Sequence, residues 1–188
     1  MNFIAFKNWL MEQEIIQSKK VDYGCVMLYA TVPDWKERIS YIKKEDIYDD
    51  EFNDYGLEDT PHCTLLFGIH LNETDPFDVK KVMNTFMRVK SLITHMSIFS
   101  NPEYDVVKYD VPVNYQLRKY HETLKKTFPN TQDFPDYHPH MTMGYVKPGT
   151  GKKYTQTVKA FQVVFDKAVY SYKNTNGEEE KINVDLYL

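Results

Sequence analysis

The sequence predicts an α+β domain in which antiparallel sheets line a central cleft and the helices lie outside. An aromatic content of 15%, with 15 Tyr and 11 Phe, favours a β-rich or mixed fold over a helical bundle. The dipeptide Asn176-Gly177 lies between two strand-like runs and indicates a hairpin. A Pro-His-x-Thr motif occurs twice, each time at the start of an apolar run, which suggests two similar halves whose motif strands meet at the cleft.

The length of 188 residues is that of one domain. Apolar side chains at helical spacing, including Phe3, Phe6, Trp9 and Leu10, predict an amphipathic helix within residues 1–20. Packing of this helix against the body of the protein is favoured over docking of a partner. The remaining residues, 21–188, contain no linker or low-complexity stretch and are expected to form the single functional domain.

Apolar periodicity, turn residues and helix-opening prolines give the order of the elements. In the first half we expect, in order, a strand, a helix, an acidic loop, a strand and a helix, at residues 23–31, 34–42, 45–59, 62–69 and 75–89. In the second half we expect two strands, a helix and four further strands, at residues 95–100, 105–111, 114–128, 137–147, 158–165, 168–173 and 181–187.

Composition excludes several classes of function. A net charge of −4 argues against binding of long nucleic acids, although a small phosphorylated ligand remains compatible with it. Cys25 and Cys63 both lie in predicted strands, which favours buried, reduced thiols over a disulfide. The sequence shows no secretory signal and no apolar run of about 18 residues. We therefore expect a soluble, cytoplasmic protein with no membrane partner.

The repeated motif places one imidazole beside one hydroxyl. Residues two apart in a strand point to the same face, so His62 pairs with Thr64, and His140 pairs with Thr142. Histidine can accept and donate protons near neutral pH, and a threonine hydroxyl can donate a hydrogen bond to a phosphate oxygen. A single strand histidine is most often a core residue, but two in matched contexts point to phosphodiester chemistry.

These residues resemble the 2H phosphoesterase superfamily, which includes cyclic phosphodiesterases and the 2′,5′-RNA ligases. Within it, residues 55–68 and 140–150 are similar to the first and second motifs of the phage anti-CBASS phosphodiesterases. The segment 26–29 is similar to the first strand of those enzymes. The resemblance covers most of residues 23–187.

The resemblance implies a two-lobed fold with both motifs in the cleft and no metal or other cofactor. Enzymes of that branch open cyclic di- and trinucleotides that bacteria use as antiviral signals, so a phage-encoded protein would act in the host cytoplasm. The resemblance also implies that His62 and His140 are the general base and acid, in an order left open, and that Thr64 and Thr142 are the phosphate anchors. It also makes Tyr29 a stacking residue.

Several alternatives remain open at this point. Lys147 follows the second motif and could contact phosphate, or it could be a solvated surface lysine. His138 and His140 share a strand face, but no carboxylate or thiol at a suitable spacing completes a metal site. The substrate could instead be a linear RNA end with a 2′,5′ bond or a 2′,3′-cyclic phosphate. A nucleotide-binding module without catalysis is opposed by the two intact His-x-Thr pairs.

Overall fold

The computed structural model describes residues 22–48, 55–132 and 136–187. Seven strands in these ranges form one sheet in which every strand pair is antiparallel, and three α-helices accompany them. The predicted α+β class is therefore confirmed. The predicted N-terminal helix at residues 1–20 lies outside the described ranges. No helix in the described part of the chain is long and apolar enough to cross a membrane.

The strands are numbered in chain order: β1 Tyr23–Ala30, β2 His62–His70, β3 Val89–Ser100, β4 Asp105–Asp110, β5 His140–Val146, β6 Gln156–Lys173 and β7 Glu179–Asp185. The α-helices are α1 Trp35–Ile39, α2 Pro76–Met83 and α3 Tyr115–Thr127. Short 3₁₀ helices occur at Lys44–Asp46, Leu71–Glu73 and Gly151–Tyr154.

Strand β6 joins the two halves of the sheet, whose order is β2-β1-β6-β3-β4-β5 with β7 also on β6. Its first part pairs with β3 as far as Phe165, and its second part pairs with β1 and β7. The prediction of two separate strands at 158–165 and 168–173 was wrong. Asp166 and Lys167 mark a change of neighbours, and Lys167 pairs with both Tyr29 and Asp185.

The boundaries of α2 and β3 also differ from the prediction. The helix was expected to reach Val89 and the next strand to begin at His95, but α2 ends at Met83 and β3 begins at Val89. Val89 is fully buried and pairs with Phe165 of β6. A helical pattern and a strand with one buried face share apolar positions over such a short stretch, and the tertiary pairing decides between them.

Local signals set the starts of the two longer helices. The Asp75 side chain accepts a hydrogen bond from the Phe77 N–H at 2.9 Å, and Pro76 occupies the first turn. The Asn114 side chain accepts one from the Leu117 N–H at 2.9 Å. Both caps satisfy backbone donors that the helix itself leaves unpaired.

The first and last strands of the sheet order, β2 and β5, come into contact. A segment just before β2 pairs with the outer edge of β5: the Glu58 N–H donates to the Met143 carbonyl at 2.9 Å, and the Tyr145 N–H donates to the Gly56 carbonyl at 2.8 Å. A Cβ at Gly144 would lie 2.9 Å from the Gly56 carbonyl oxygen, so this approach needs glycine. The sheet thereby brings the two motif strands together.

We expect Gly68→Ala to destabilise the fold strongly. Gly68 has a φ of +87°, and a Cβ there would lie 2.1 Å from the Thr131 carbonyl oxygen. Backbone strain and steric overlap act together, so the free energy of unfolding should fall by about 3 kcal/mol or more, as urea denaturation would measure it.

Gly177→Ala is the matched control. Gly177 has a similar φ of +80°, but nothing lies within 4 Å of an added Cβ. This variant should lose only about 1–2 kcal/mol, the cost of a left-handed backbone for an L residue. Equal losses in the two variants would show that the contact with Thr131 does not matter.

Candidate active site

Strands β2 and β5 each begin at a motif histidine and place the His-x-Thr side chains on one face. His62, Thr64, His140 and Thr142 are all half-buried. The intervening residues, Cys63 and Met141, are fully buried on the opposite face, in the core. Each motif therefore uses its apolar middle residue to anchor the strand and its two polar residues to face outward from the core.

The two histidines make the same local hydrogen bond. His62 Nδ1 lies 3.0 Å from the Thr60 carbonyl oxygen, and His140 Nδ1 lies 2.9 Å from the His138 carbonyl oxygen. A carbonyl oxygen only accepts, so each Nδ1 carries the hydrogen and donates it. Nε2 is then the atom that has a lone pair in the neutral ring and donates in the imidazolium. Each ring can exchange a proton with a ligand only through Nε2.

His62 lies between an aromatic ring and a carboxylate. Its ring stacks on Tyr29, the cross-strand neighbour in β1, with centroids 5.3 Å apart and planes at 27°. The Glu58 Oε1 atom lies 3.8 Å from Nδ1, and the His62 side chain is 20% exposed. A carboxylate at this distance can pair with an imidazolium. Burial raises the pKa of Tyr29, so its phenol stays protonated at neutral pH.

His140 has different surroundings. Its ring and the Phe99 ring form a T-shaped pair, with planes at 89° and centroids 4.9 Å apart. Burial lowers the pKa of His140 below the ordinary histidine value, and the positive charges of Lys108 and His62 lower it further. The His138 carbonyl and Asp110 oppose this shift without reversing it. His140 is accordingly neutral at neutral pH, with its lone pair on Nε2.

A buried lysine lies beside the second motif. Lys108 of β4 pairs with Thr142 on one side and with Ser97 of β3 on the other, and its side chain is 7% exposed. Its Nζ donates to Asp110 Oδ1 at 2.5 Å and to Ser97 Oγ at 2.7 Å. The Ser97 hydroxyl donates to the same Asp110 oxygen at 2.6 Å. Asp110 pairs with His140, so the network lies on the neighbouring strand, directly beside the second His-x-Thr pair.

Tyr137 lies three residues before the start of β5 and links that segment to strand β2. Its hydroxyl donates to the Thr64 carbonyl at 3.3 Å, and its ring stacks on His121 with centroids 4.2 Å apart and planes at 9°. His121 of α3 donates from Nδ1 to the Leu65 carbonyl at 2.7 Å. Two backbone carbonyls of β2 are thus held by a pair of stacked rings, one of which lies three residues before His140.

The thiols near the site are poor nucleophiles. Burial raises the pKa of Cys63 to about 12, against hydrogen bonds from the His140 backbone and the Tyr137 side chain. Burial also raises the pKa of Cys25 to about 12, against a hydrogen bond from the Thr64 side chain. Both thiols are free, as predicted from the sequence, and both stay protonated at neutral pH.

Five of the six site residues predicted from the sequence lie on β1 and on the two contacting motif strands, and the sixth, Lys147, lies apart from them. His62, Thr64 and Tyr29 lie together on β2 and β1, and His140 and Thr142 lie on β5, the strand that contacts β2. Lys147 is exposed, and its Nζ donates to the Glu45 carbonyl at 2.7 Å. Its ammonium therefore holds the 44–46 turn against the end of β5.

Sequence reasoning missed the residues that surround the histidines: Ser97, Phe99, Lys108, Asp110, Glu58 and Tyr137. The sequence contains a signal for two of these residues. Lys108 and Asp110 occupy alternate positions of the strand DVVKYD, so they share a face, and a lysine between apolar residues of a strand that pairs on both edges is unusual. Within the described ranges, no three His, Cys, Asp or Glu side chains converge as metal ligands.

Comparison with known proteins establishes the fold. A crystal structure of a phosphoesterase matches with a TM-score of 0.50 and 11% identity, over 90% of this chain and 100% of that one. E. coli LigT in complex with NADP⁺ matches with a TM-score of 0.50 and 10% identity, over the same shares. The chain has their fold. The α+β fold expected from the sequence is thereby confirmed as a fold shared with LigT. No protein-family model and no curated protein matches the sequence.

We expect Tyr137→Phe to weaken the link between the two motif strands. The substitution keeps the stack on His121 and removes only the hydroxyl that donates to Thr64. The free energy of unfolding should fall by about 1 kcal/mol, as urea denaturation would measure it. Tyr115→Phe is the control, because Tyr115 is 77% exposed and should lose nothing measurable. Identical curves for the two variants would contradict the link.

Proposed function

We propose that residues 21–188 form a metal-independent phosphodiesterase that hydrolyses 3′-5′ bonds of cyclic di- and trinucleotide signals. In a bacterial cytoplasm this activity would counteract CBASS immunity. The observation that carries the proposal is the matched local geometry of two histidines on contacting strands: each donates from Nδ1 to the carbonyl two residues before it, and each is followed by a threonine on the same face.

The chemistry follows from this arrangement. One Nε2 accepts the proton of the ribose 2′-hydroxyl, which attacks the adjacent phosphorus. The other Nε2 protonates the departing 5′ oxygen. Because the attacking hydroxyl is already held beside the phosphate by its own sugar ring, the protein supplies no nucleophile. The cyclic phosphate that forms can then be opened by water, with the two histidines exchanging roles.

Thr64 and Thr142 are proposed to donate hydrogen bonds to the non-bridging phosphate oxygens, where negative charge gathers in the transition state. Tyr29 is proposed to stack with a base of the substrate on the side away from His62. Lys147 stays a proposed phosphate contact, and reaching a ligand would require it to release the Glu45 carbonyl.

The choice of a cyclic oligonucleotide is supported by two features of the chain. Its segments 26–29, 55–68 and 140–150 resemble the anti-CBASS enzymes, and its net charge of −4 favours a compact ligand over long RNA. The resemblance of the two motifs to the 2H superfamily, which includes the 2′,5′-RNA ligases, gives a second candidate, a phosphodiesterase or ligase acting on 2′,5′-linked or 2′,3′-cyclic RNA ends. Mass spectrometry of the products from a panel of both substrate classes separates the two candidates. Binding of a ligand without any product would instead indicate a sequestering module.

His62→Ala and His140→Ala should each lower turnover by roughly 10²–10⁴-fold, the usual effect of losing a general acid or base. His70→Ala is the control: His70 ends the same strand β2, but its ring bonds to Glu73 and Thr131. Initial rates, with thermal melts to verify folding, test this. Near-normal turnover in either motif variant would exclude the two-histidine mechanism.

Substrates with 2′-deoxy sugars should bind and resist cleavage, because they lack the internal nucleophile. Ribo and deoxy cyclic dinucleotides are incubated side by side and their products are separated by chromatography, with binding measured by calorimetry. Equal cleavage of the deoxy compound would mean that water attacks phosphorus directly.

A further inference from the structure

The Lys108 ammonium contacts three groups of the protein. It has three N–H donors, and Asp110 Oδ1 and Ser97 Oγ accept from it at 2.5 and 2.7 Å. On its remaining side, Nζ lies 4.2 Å from the centroid of the Phe99 ring, a cation–π contact. A lysine that binds a substrate phosphate would need at least one N–H directed at the ligand. The geometry therefore favours an effect of its charge over direct contact with the substrate.

The charge of Lys108 acts on His140. Phe99 contacts both side chains, since its ring lies under Nζ and forms a T-shaped pair with the imidazole. A buried positive charge that shares this aromatic neighbour disfavours a second positive charge on the imidazole. Because Lys108 is 7% exposed, solvent screens its field less than that of a surface lysine.

His62 has the opposite electrostatic environment. The carboxylate of Glu58 lies 3.8 Å from its Nδ1, and an imidazolium there would form an ion pair. The two motifs are alike in sequence and in their backbone hydrogen bonds, yet the charged residue nearest to each ring differs in sign. This difference breaks the symmetry between the two histidines.

We propose that Lys108 is a positioning residue that keeps His140 neutral, so that His140 is the general base and His62 the general acid. This inference rests on the proposed function and assigns the two roles within it. In the forward step the 2′-hydroxyl proton moves to His140 Nε2 as the 2′-oxygen bonds to phosphorus. The bond from phosphorus to the 5′ oxygen breaks, and that oxygen takes the proton from His62 Nε2.

The other groups around His140 fit this assignment. From β4, Asp110 carries a negative charge that offsets part of the effect of Lys108, and it is bound to that lysine. From β2, a protonated His62 adds to the effect of Lys108. Phe99 of β3 is uncharged, and the His138 carbonyl is held by Nδ1. Burial opposes the lowering of the Asp110 pKa, which comes mainly from the hydrogen bonds of Lys108 and Ser97, and His95 adds a smaller contribution.

The test of the lysine uses charge changes of opposite sign. The imidazole signals of the six histidines are followed by NMR during a pH titration, with His140 assigned by its loss in His140→Gln. Lys108→Met should move the His140 midpoint to higher pH, and Asp110→Asn should move it to lower pH. The variant with both substitutions should have a His140 midpoint close to that of the wild type. Asp110 is 45% exposed, so Asp110→Asn tests the proposal even if Lys108→Met fails to fold.

The same variants should move the acidic limb of the pH profile of kcat/KM in the same directions, because that limb reports the base in the free enzyme. A purely structural role for Lys108 would lower the rate at every pH and leave the limb in place. An unmoved His140 midpoint in both single variants overturns the positioning role.

The assignment of base and acid is tested with a cyclic dinucleotide in which sulfur replaces the bridging 5′ oxygen. A thiolate leaves without protonation, so the general acid is no longer needed. His62→Ala should recover most of its lost rate on this substrate, while His140→Ala should keep its loss of roughly 10²–10⁴-fold. If His140→Ala instead recovered its rate on this substrate, His140 would be the general acid and His62 the general base. If the wild type cleaves neither compound, the proposed function fails, and the NMR titration still decides the effect of Lys108.

Discussion

The hydrogen bond from the Glu58 N–H to the Met143 carbonyl connects the two halves of the site. It lies four residues before His62 and one residue after Thr142, so it sets how closely the two motifs approach each other. Tyr137 adds a second link on the other side, from the approach to β5 to the Thr64 carbonyl. The first and last strands of the sheet order meet because these contacts join them. A site composed of residues from both strands depends on that closure.

The two motifs show how a repeated sequence acquires unequal chemistry. The backbone bonds to His62 and His140 are alike within 0.1 Å, as 3.0 and 2.9 Å, and each leaves Nε2 as the ring nitrogen that can exchange a proton with a ligand. The difference comes from neighbours contributed by other strands and loops: Glu58 and Tyr29 beside one ring, and Lys108 with Phe99 beside the other. In the proposed mechanism, duplicated local geometry and separate surroundings together make one histidine the proton acceptor and the other the proton donor.

The fold class and the His-x-Thr pairs could be predicted because they depend on local patterns, namely turn residues, strand alternation and the repeated tetrapeptide. The continuity of β6 through Asp166 and Lys167 could not, because it depends on which strands pair there. For the same reason the sequence does not show that Lys108 lies beside the second motif. It is 32 residues away from His140 in the chain, and only the register of β4 with β5 places it beside Thr142. Sequence periodicity indicates which face a residue occupies, but tertiary pairing determines its neighbours.

The central position of β6 also has a consequence for how the chain folds. Val26 of β1 pairs with Tyr170 of β6, and Val89 of β3 pairs with Phe165. Both halves of the sheet can therefore complete their strand pairing only after β6 has been synthesised. Pairings this distant in sequence slow folding, because the entropy of closing a long loop is lost before the contacts form. During synthesis, β1 and β2 emerge long before their neighbour β6 does. The nascent chain therefore exposes an unpaired strand edge until β6 has emerged, and during this interval it is prone to aggregate.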